Sequence, residues 1–63
     1  MILMRIYKDG FPIYSVKGKI AEERTKAKLG KLLHTVGMAD VAFTLLKTRG
    51  KVYVGGYEFV WED

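Results

Sequence analysis

Apolar side chains recur at every second residue near both ends of this chain and at every third or fourth residue in its middle, and this change of period constrains the fold most. Residues 1–8 have the two-residue period of a β-strand. Asp9-Gly10 is a turn signal and residues 11–16 return as a second strand, so the sequence predicts an N-terminal β-hairpin. Because Pro12 has no N–H to donate to a ladder, we expect the second strand to lie at the sheet edge or to begin after the proline.

Residues 19–36 have the spacing of an amphipathic helix. Gly30 costs such a helix about 1 kcal/mol relative to alanine, which indicates either a close approach of another element or a locally weak helix. Gly37 stands where a helix C-cap would lie. A basic stripe on one flank predicts a phosphate-facing surface, with an ordinary solvated face as the alternative; its residues are Arg24, Lys28 and Lys31. The apolar side consists of Ala21, Thr25, Leu29, Leu32, Leu33 and Val36.

Residues 38–47 fit two structures. As a helix they have compatible apolar spacing, with Asp40 as the N-cap and Gly50 as the stop. As a strand they alternate, and residues 48–51 become a hairpin loop that leads into the next strand. The strand is the preferred interpretation.

The last segment, residues 51–61, is rich in valine and aromatic residues, which predicts β-structure with a bulge or a close backbone approach at Gly55-Gly56. The predicted fold is α+β in the order ββαββ, with an N-terminal hairpin, one amphipathic helix and a C-terminal hairpin in an antiparallel sheet. The alternative is ββααβ with a helix-turn-helix. Residues 1–63 are expected to form one domain, because so short a chain buries only about 60% of its unfolded surface.

Charge and cysteine content narrow the classes of partner and compartment. The formal net charge is +4, from eleven lysines and arginines against seven acidic residues. The basic residues concentrate in segments 17–31 and 47–51, which favours a polyanionic partner. The chain has no cysteine, no apolar run of the roughly 20 residues that span a membrane, and no signal-peptide pattern at its start. These features predict a cytoplasmic protein without a membrane partner.

The residue types that catalysis requires are nearly absent. His34 is the only histidine and Ser15 the only serine. Glu22 and Glu23 are adjacent on a predicted helix and therefore point about 100° apart, which is unsuitable for a shared metal or an acid–base pair. We therefore predict that the protein is not an enzyme and has no catalytic residue, no metal site and no cofactor.

Two segments near the ends of the chain resemble a known family of DNA-binding modules. Residues 6–14, Ile-Tyr-Lys-Asp-Gly-Phe-Pro-Ile-Tyr, are similar to the opening hairpin of the short modular DNA-binding repeats associated with homing endonucleases. Gly50-Lys51, Gly55-Gly56-Tyr57 and Trp61 are similar to the close of those repeats. The resemblance covers about half of the chain and implies a small helix-turn-helix between these two parts, together with DNA binding.

The leading hypothesis is a small non-enzymatic nucleic-acid-binding protein, expected to bind DNA, of the type encoded by bacteriophages and mobile elements. Its predicted phosphate contacts are Arg24, Lys28, Lys31, Lys47, Arg49 and Lys51. Aromatic residues of the predicted strands add a hypothesis of base stacking, although we expect about half of them to be buried. They are Tyr7, Tyr14, Tyr53, Tyr57, Phe59 and Trp61.

The alternative hypothesis is a protein-binding module or an inhibitor of a host protein. Such a protein would present a sheet edge, or an apolar patch around residues 41–46, to its partner. A homodimer formed through an exposed strand is compatible with both hypotheses.

Overall fold

Two β-hairpins, one near each end of the chain, enclose a pair of helices in the sequence. The computed structural model describes all residues from Met1 to Asp63. The elements are β1 (Leu3–Lys8), β2 (Phe11–Lys17), α1 (Ile20–Leu32), α2 (Val36–Arg49), β3 (Lys51–Val54) and β4 (Tyr57–Glu62). The strands form one antiparallel sheet in the order β2-β1-β4-β3, so the two hairpins meet at the β1–β4 pair in its centre.

The order ββααββ confirms the α+β class and the four-stranded antiparallel sheet, and corrects both predicted orders. The strand interpretation of residues 38–47 is wrong, because these residues lie within α2. The buried residues of α2 recur at helical spacing, whereas the alternation of Val41, Phe43 and Leu45 does not correspond to a common face. Phe43 is buried and Val41 is 61% exposed. Both strands of the C-terminal hairpin, β3 and β4, therefore lie within residues 51–62.

Local signals set both ends of α2. At its start, the side-chain oxygen of Thr35 accepts a hydrogen bond from the Met38 N–H at 3.1 Å. At its end, Gly50 adopts the left-handed conformation with φ 86° and donates its N–H to the carbonyl of Leu46 at 2.8 Å. Gly50 is thus the stop that the alternative, helical interpretation of residues 38–47 assigned to it, and not part of a hairpin loop. Asp40 as the N-cap is wrong, because the helix has already begun before it.

Helix α1 is shorter than the sequence indicates. It ends at Leu32 because Leu33 has extended backbone angles, with φ −112° and ψ 142°. Gly37 is therefore not a C-cap but lies in the first turn of α2, and Val36 is 79% exposed. A Cβ atom at Gly30 would meet no other heavy atom within 4 Å, so no element approaches closely there and only the intrinsic cost of glycine remains. Neither helix combines the length and the apolar sequence that a membrane span requires.

Both hairpins close with a two-residue turn in which each central residue has positive φ. In the first turn Asp9 has φ 52° and Gly10 has φ 83°, which confirms the predicted N-terminal hairpin. In the second turn Gly55 has φ 58° and Gly56 has φ 83°, so these glycines form a turn and not a bulge. Strand β2 includes Pro12 and lies at the edge of the sheet, as expected for a residue without an N–H.

The hydrophobic core lies between one face of the sheet and the two helices. Helix α1 packs against β1 and β2, and α2 packs against β3 and β4. Phe43 of α2 meets Trp61 of β4 edge to face, with ring centroids 5.4 Å apart and an interplanar angle of 86°. The buried hydroxyl of Thr25 donates a hydrogen bond to the carbonyl of Ala21 at 2.6 Å. The buried apolar residues are Met4, Ile6, Ala21, Leu29, Ala39, Ala42, Phe43, Leu46, Val54, Phe59 and Trp61.

Replacing Thr35 tests the cap that begins α2. We expect Thr35→Ala to lower the free energy of unfolding by about 1 kcal/mol, because the Met38 N–H loses its acceptor. Thr35→Ser retains the hydroxyl and should remain close to the wild-type value. Urea denaturation followed by far-ultraviolet circular dichroism measures both variants, and equal stability of the alanine and serine variants would contradict the assignment.

Two glycine replacements should shift stability in opposite directions. Gly30→Ala is expected to raise the free energy of unfolding by about 1 kcal/mol, because the position is helical and has open space for a Cβ atom. Gly50→Ala should lower it by about 1–2 kcal/mol, because φ 86° is unfavourable for any residue with a Cβ atom. For a domain of this size, 1 kcal/mol corresponds to a Tm change of about 4–8 °C in a thermal melt. A lower Tm for Gly30→Ala would show that the helix is not formed there.

Candidate functional site

The six predicted phosphate-binding residues lie in three places: one group on α1, one group on α2, and a single lysine of β3 that forms an ion pair. Arg24, Lys28 and Lys31 share one flank of α1, and the ammonium of Lys28 lies against Tyr14 of β2. Lys51 begins β3, and its Nζ lies 3.8 Å from a carboxylate oxygen of Glu58. The second group, in the last turn of α2, is Lys47 and Arg49.

The α2 group has a structural role that does not require a ligand. Cations in the last turn of a helix interact favourably with its dipole. Lys47 also lies over the ring of Phe43, with Nζ 4.6 Å from the centroid, and Lys26 of α1 approaches the same ring at 5.3 Å. The α1 group has comparable contacts, since Lys31 lies in the last turn of α1 and Lys28 lies over Tyr14. Its Lys28 and Lys31 also line a groove, which makes the α1 group the stronger candidate for binding.

A groove lies between the C-terminal half of α1 and the adjacent part of the sheet, and we call it the α1–sheet groove. Its volume is about 230 Å³, and it is open to solvent on one side. Buried Ile6 and Phe59 form its floor, and the C-terminal turns of α1 form one wall. The residues that line it are Ile6, Ile13, Tyr14, Lys28, Lys31, Leu32, Tyr57 and Phe59.

A β-bulge in β2 shapes the wall opposite the helix. Ile6 pairs with Tyr14, but the next residue of β1, Tyr7, pairs with Pro12, which leaves Ile13 as an extra residue in β2. In a regular strand, two consecutive side chains point to opposite faces of the sheet. The bulge allows both Ile13 and Tyr14 to line the groove. No glycine marks this bulge in the sequence.

Two tyrosine rings of the groove each carry a lysine ammonium. The Nζ atom of Lys28 lies 4.3 Å from the ring centroid of Tyr14. The Nζ atom of Lys8 lies 5.3 Å from the ring centroid of Tyr57, its partner in the β1–β4 ladder. Both tyrosines are half-buried. The groove therefore combines flat aromatic faces with the positive charge of Lys28 and Lys31 in its lining and of Lys8 against the Tyr57 ring.

The positive charge at the groove is not neutralised by an acidic side chain. The three ion pairs of the chain are Arg5–Glu62, Lys26–Glu22 and Lys51–Glu58. None of them includes Lys8, Lys28 or Lys31. An anion that binds near this groove can therefore interact with three lysine ammonium groups that have no ion-pair partner within the protein.

The face of the sheet opposite the helices is electrostatically different. Arg5 pairs there with Glu62 at 4.0 Å, and Lys51 pairs with Glu58. The hydroxyl of Tyr53 donates a hydrogen bond to Glu58 at 3.1 Å. Because Arg5 and Lys51 are paired and only Lys17 is without an ion-pair partner, this face is a weaker candidate for phosphate binding than the α1–sheet groove.

The aromatic residues proposed for base stacking are divided by the fold. Phe59 and Trp61 are buried and belong to the core. Tyr14 and Tyr57 line the α1–sheet groove. The remaining two, Tyr7 and Tyr53, occupy ladder positions on the opposite face of the sheet, beside Glu58.

A second surface, between α2 and the edge strand β3, is apolar, and we call it the α2–β3 surface. Val41 is 61% exposed and Met38 is 50% exposed, and they lie on the flank of α2 that faces β3. The apolar patch expected around residues 41–46 is thus narrower than its sequence range, since Phe43 and Leu46 point into the core. The surface is lined by Leu33, Gly37, Met38, Val41, Ala42, Leu45, Val52, Tyr53 and Val54.

Helix α2 follows α1 after residues 33–35, but its accessible face offers few groups that could read base edges. Asp40 and Thr44 are exposed beside Val41, and basic residues occur only in the last turn. Recognition of bases in the major groove relies mainly on arginine, lysine, asparagine and glutamine. The helix pair therefore lacks the side chains of a typical recognition helix.

Sequence reasoning identified part of this site. It named Lys28 and Lys31 among the phosphate contacts, and Tyr14 and Tyr57 among the stacking residues. It noted Lys8 only as a positive charge close in sequence to the strand aromatics and did not include it among the phosphate contacts. Elsewhere, His34 is exposed, and no group of histidine, aspartate and glutamate side chains is arranged to hold a metal ion. Comparison with protein-family models, characterised protein sequences and solved structures gave no match.

Proposed function

We propose that this chain is a small, non-enzymatic nucleic-acid-binding protein that contacts the phosphate backbone along the basic flank of α1 and at the opening of the α1–sheet groove. The observation that carries the proposal is the grouping of Lys8, Lys28 and Lys31, none of them ion-paired, around two half-buried tyrosine rings. Lysines that neutralise phosphates release condensed counterions, and this release drives sequence-independent binding. Arg24 extends the same flank by one helical turn.

The resemblance to modular DNA-binding repeats supports DNA as the nucleic acid. The two helices lie between two hairpins, which is where that resemblance implies a helix-turn-helix. The accessible face of α2 has few base-reading side chains, so the proposal assigns the main contacts to α1 and the groove instead. A cytoplasmic protein of bacteriophage or mobile-element type, without a membrane partner, is consistent with this function.

A double variant of the groove lysines tests the proposal. Lys28→Gln combined with Lys31→Gln should weaken binding and make the salt dependence of log K less steep by about 1.5, because each phosphate contact contributes about 0.7–0.9 to that slope. Fluorescence anisotropy with a labelled oligonucleotide at several salt concentrations measures both effects.

The matched control removes the same amount of charge elsewhere. Lys17→Gln combined with Lys51→Gln alters two residues on the opposite face of the sheet, and its effect on the salt slope should be small. An equal loss in both double variants would show that only net charge matters. The absence of wild-type binding at low salt would refute the proposed function.

A second candidate function, that of a protein-binding module or inhibitor, is favoured by the α2–β3 surface. Met38 and Val41 are exposed there beside β3, whose outer edge has no partner strand. Exposed apolar patches next to a free strand edge are typical of surfaces that add a strand or a helix from another protein. A second copy of this chain is one such partner.

Substitution of Val41 distinguishes the two candidate functions. Val41→Lys should leave nucleic-acid affinity unchanged or slightly higher, and should not lower stability, because the side chain is 61% exposed. If the second function is correct, Val41→Lys abolishes capture of a stoichiometric protein partner from nuclease-treated lysate, or converts a dimer to a monomer by light scattering. Thr44→Lys, at an exposed polar position of the same helix, is the control.

A further inference from the structure

We infer that the α1–sheet groove is a binding site for one unpaired nucleobase, so that the protein binds single-stranded nucleic acid in preference to a duplex. This inference rests on the proposed function and adds to it the form of the ligand and the position of one base.

The size of the groove suits a single ring system. Its volume of about 230 Å³ is below the roughly 300–1,000 Å³ of pockets that enclose drug-sized ligands. The groove is nevertheless open on one side, so a ring that enters it remains connected to a backbone that stays outside. One base attached to a continuous strand has this shape.

The lining of the groove suits the two faces of a base. Ile6 and Phe59 provide an apolar floor, and the rings of Tyr14 and Tyr57 provide aromatic surfaces for stacking. The bulge at Ile13 adds an apolar contact at the rim. Stacking on tyrosine tolerates any base, because every base has a π-face. We therefore expect weak discrimination among bases at this site.

The lysines at the opening link phosphate binding to base binding. In the free protein the ammonium groups of Lys28 and Lys8 lie over the faces of Tyr14 and Tyr57. The charge-assisted hydrogen bond between a phosphate and an ammonium is stronger than the cation–π interaction between an ammonium and a tyrosine ring. When the strand binds, its phosphates draw the lysines away from the rings, and the exposed ring faces become available to the base.

A regular duplex does not fit this site, because its bases are paired and stacked inside the helix. Entry of a base would require it to be unpaired and turned out of the stack, which a single strand already permits. A duplex is therefore expected to bind only through its phosphates, with the lysines alone.

The experiment compares one single strand with its duplex. Fluorescence anisotropy measures the affinity of an oligothymidylate of about 12 nucleotides, within the usual range of single-strand sites, and of the same strand paired with its complement. We expect the single strand to bind the wild-type protein at least about 10-fold more tightly. Tyr14→Leu should lower the single-strand affinity roughly 10- to 100-fold, the range measured for stacked bases, and leave the salt slope and the duplex affinity unchanged.

Three controls separate stacking from folding. Tyr14→Phe and Tyr57→Phe retain the rings and should retain the affinity. Tyr53→Leu removes an equally large side chain from the opposite face of the sheet and should have no effect on binding. A strand of abasic residues, tested with the wild-type protein, should bind at least as weakly as the normal strand binds Tyr14→Leu, because it also loses the contacts with Tyr57 and the apolar floor. Its affinity should be insensitive to Tyr14→Leu.

The possible results distinguish failure of this inference from failure of the proposed function. If single strand and duplex bind equally, or the abasic strand binds as tightly as the normal one, the base site is wrong, while an effect of the groove lysines on the salt slope would still support nucleic-acid binding. If neither oligonucleotide binds at low salt, both proposals fail. If Tyr14→Leu does not fold, the comparison of the abasic strand with the normal strand on the wild-type protein still decides the question.

Discussion

The antiparallel pairing of β1 with β4 joins the two ends of the chain, and the rest of the structure depends on it. The ladder extends from Leu3 opposite Glu62 to Lys8 opposite Tyr57. It combines two separate hairpins into one sheet and brings Met4 and Ile6 beside Phe59 and Trp61 on the face that the helices cover. Because these contacts span nearly the whole sequence, neither hairpin alone can form the core. The same ladder brings Lys8 to Tyr57 and so completes one side of the α1–sheet groove.

The way in which two short helices cover a four-stranded sheet leaves two surfaces accessible. Helix α1 ends at Leu32. Its last turns form one wall of an open groove, and Tyr57 and the bulged part of β2 form the sheet side of this groove. Helix α2 buries one side against β3 and β4, but its flank with Met38 and Val41 remains exposed. The two surfaces differ in chemistry, since the first combines tyrosines with unpaired lysines and the second is apolar. Because the two surfaces differ in chemistry, each candidate function can be tested by substitutions in one surface that leave the other surface intact.

The sequence indicated a part of the site as well as part of the fold. Lys28 and Lys31 are separated by one helical turn, so their common flank follows from periodicity alone. Tyr14 and Tyr57 were recognisable as strand aromatics, but their burial was not, because a strand's two faces cannot be assigned to core and solvent without knowing what packs on them. Neither Lys8 nor Ile13 was among the predicted binding residues, although Lys8 is close in sequence to the strand aromatics. Lys8 belongs to the site because it pairs in the sheet with Tyr57, which is near the other end of the chain. Ile13 lines the groove because of a bulge that no glycine marks in the sequence.

The sequence by itself determined the features that rest on neighbouring residues. These are the first hairpin with its Asp9-Gly10 turn, and the exclusion of Pro12 from a central strand position, which the structure resolves as an edge strand. Only the tertiary structure decided that residues 38–47 are helical, since their apolar residues satisfy both a two-residue and a helical period. Packing selected the helix, because it buries Ala39, Phe43 and Leu46 together against the sheet, with Phe43 against Trp61, whereas a strand would divide them between two faces.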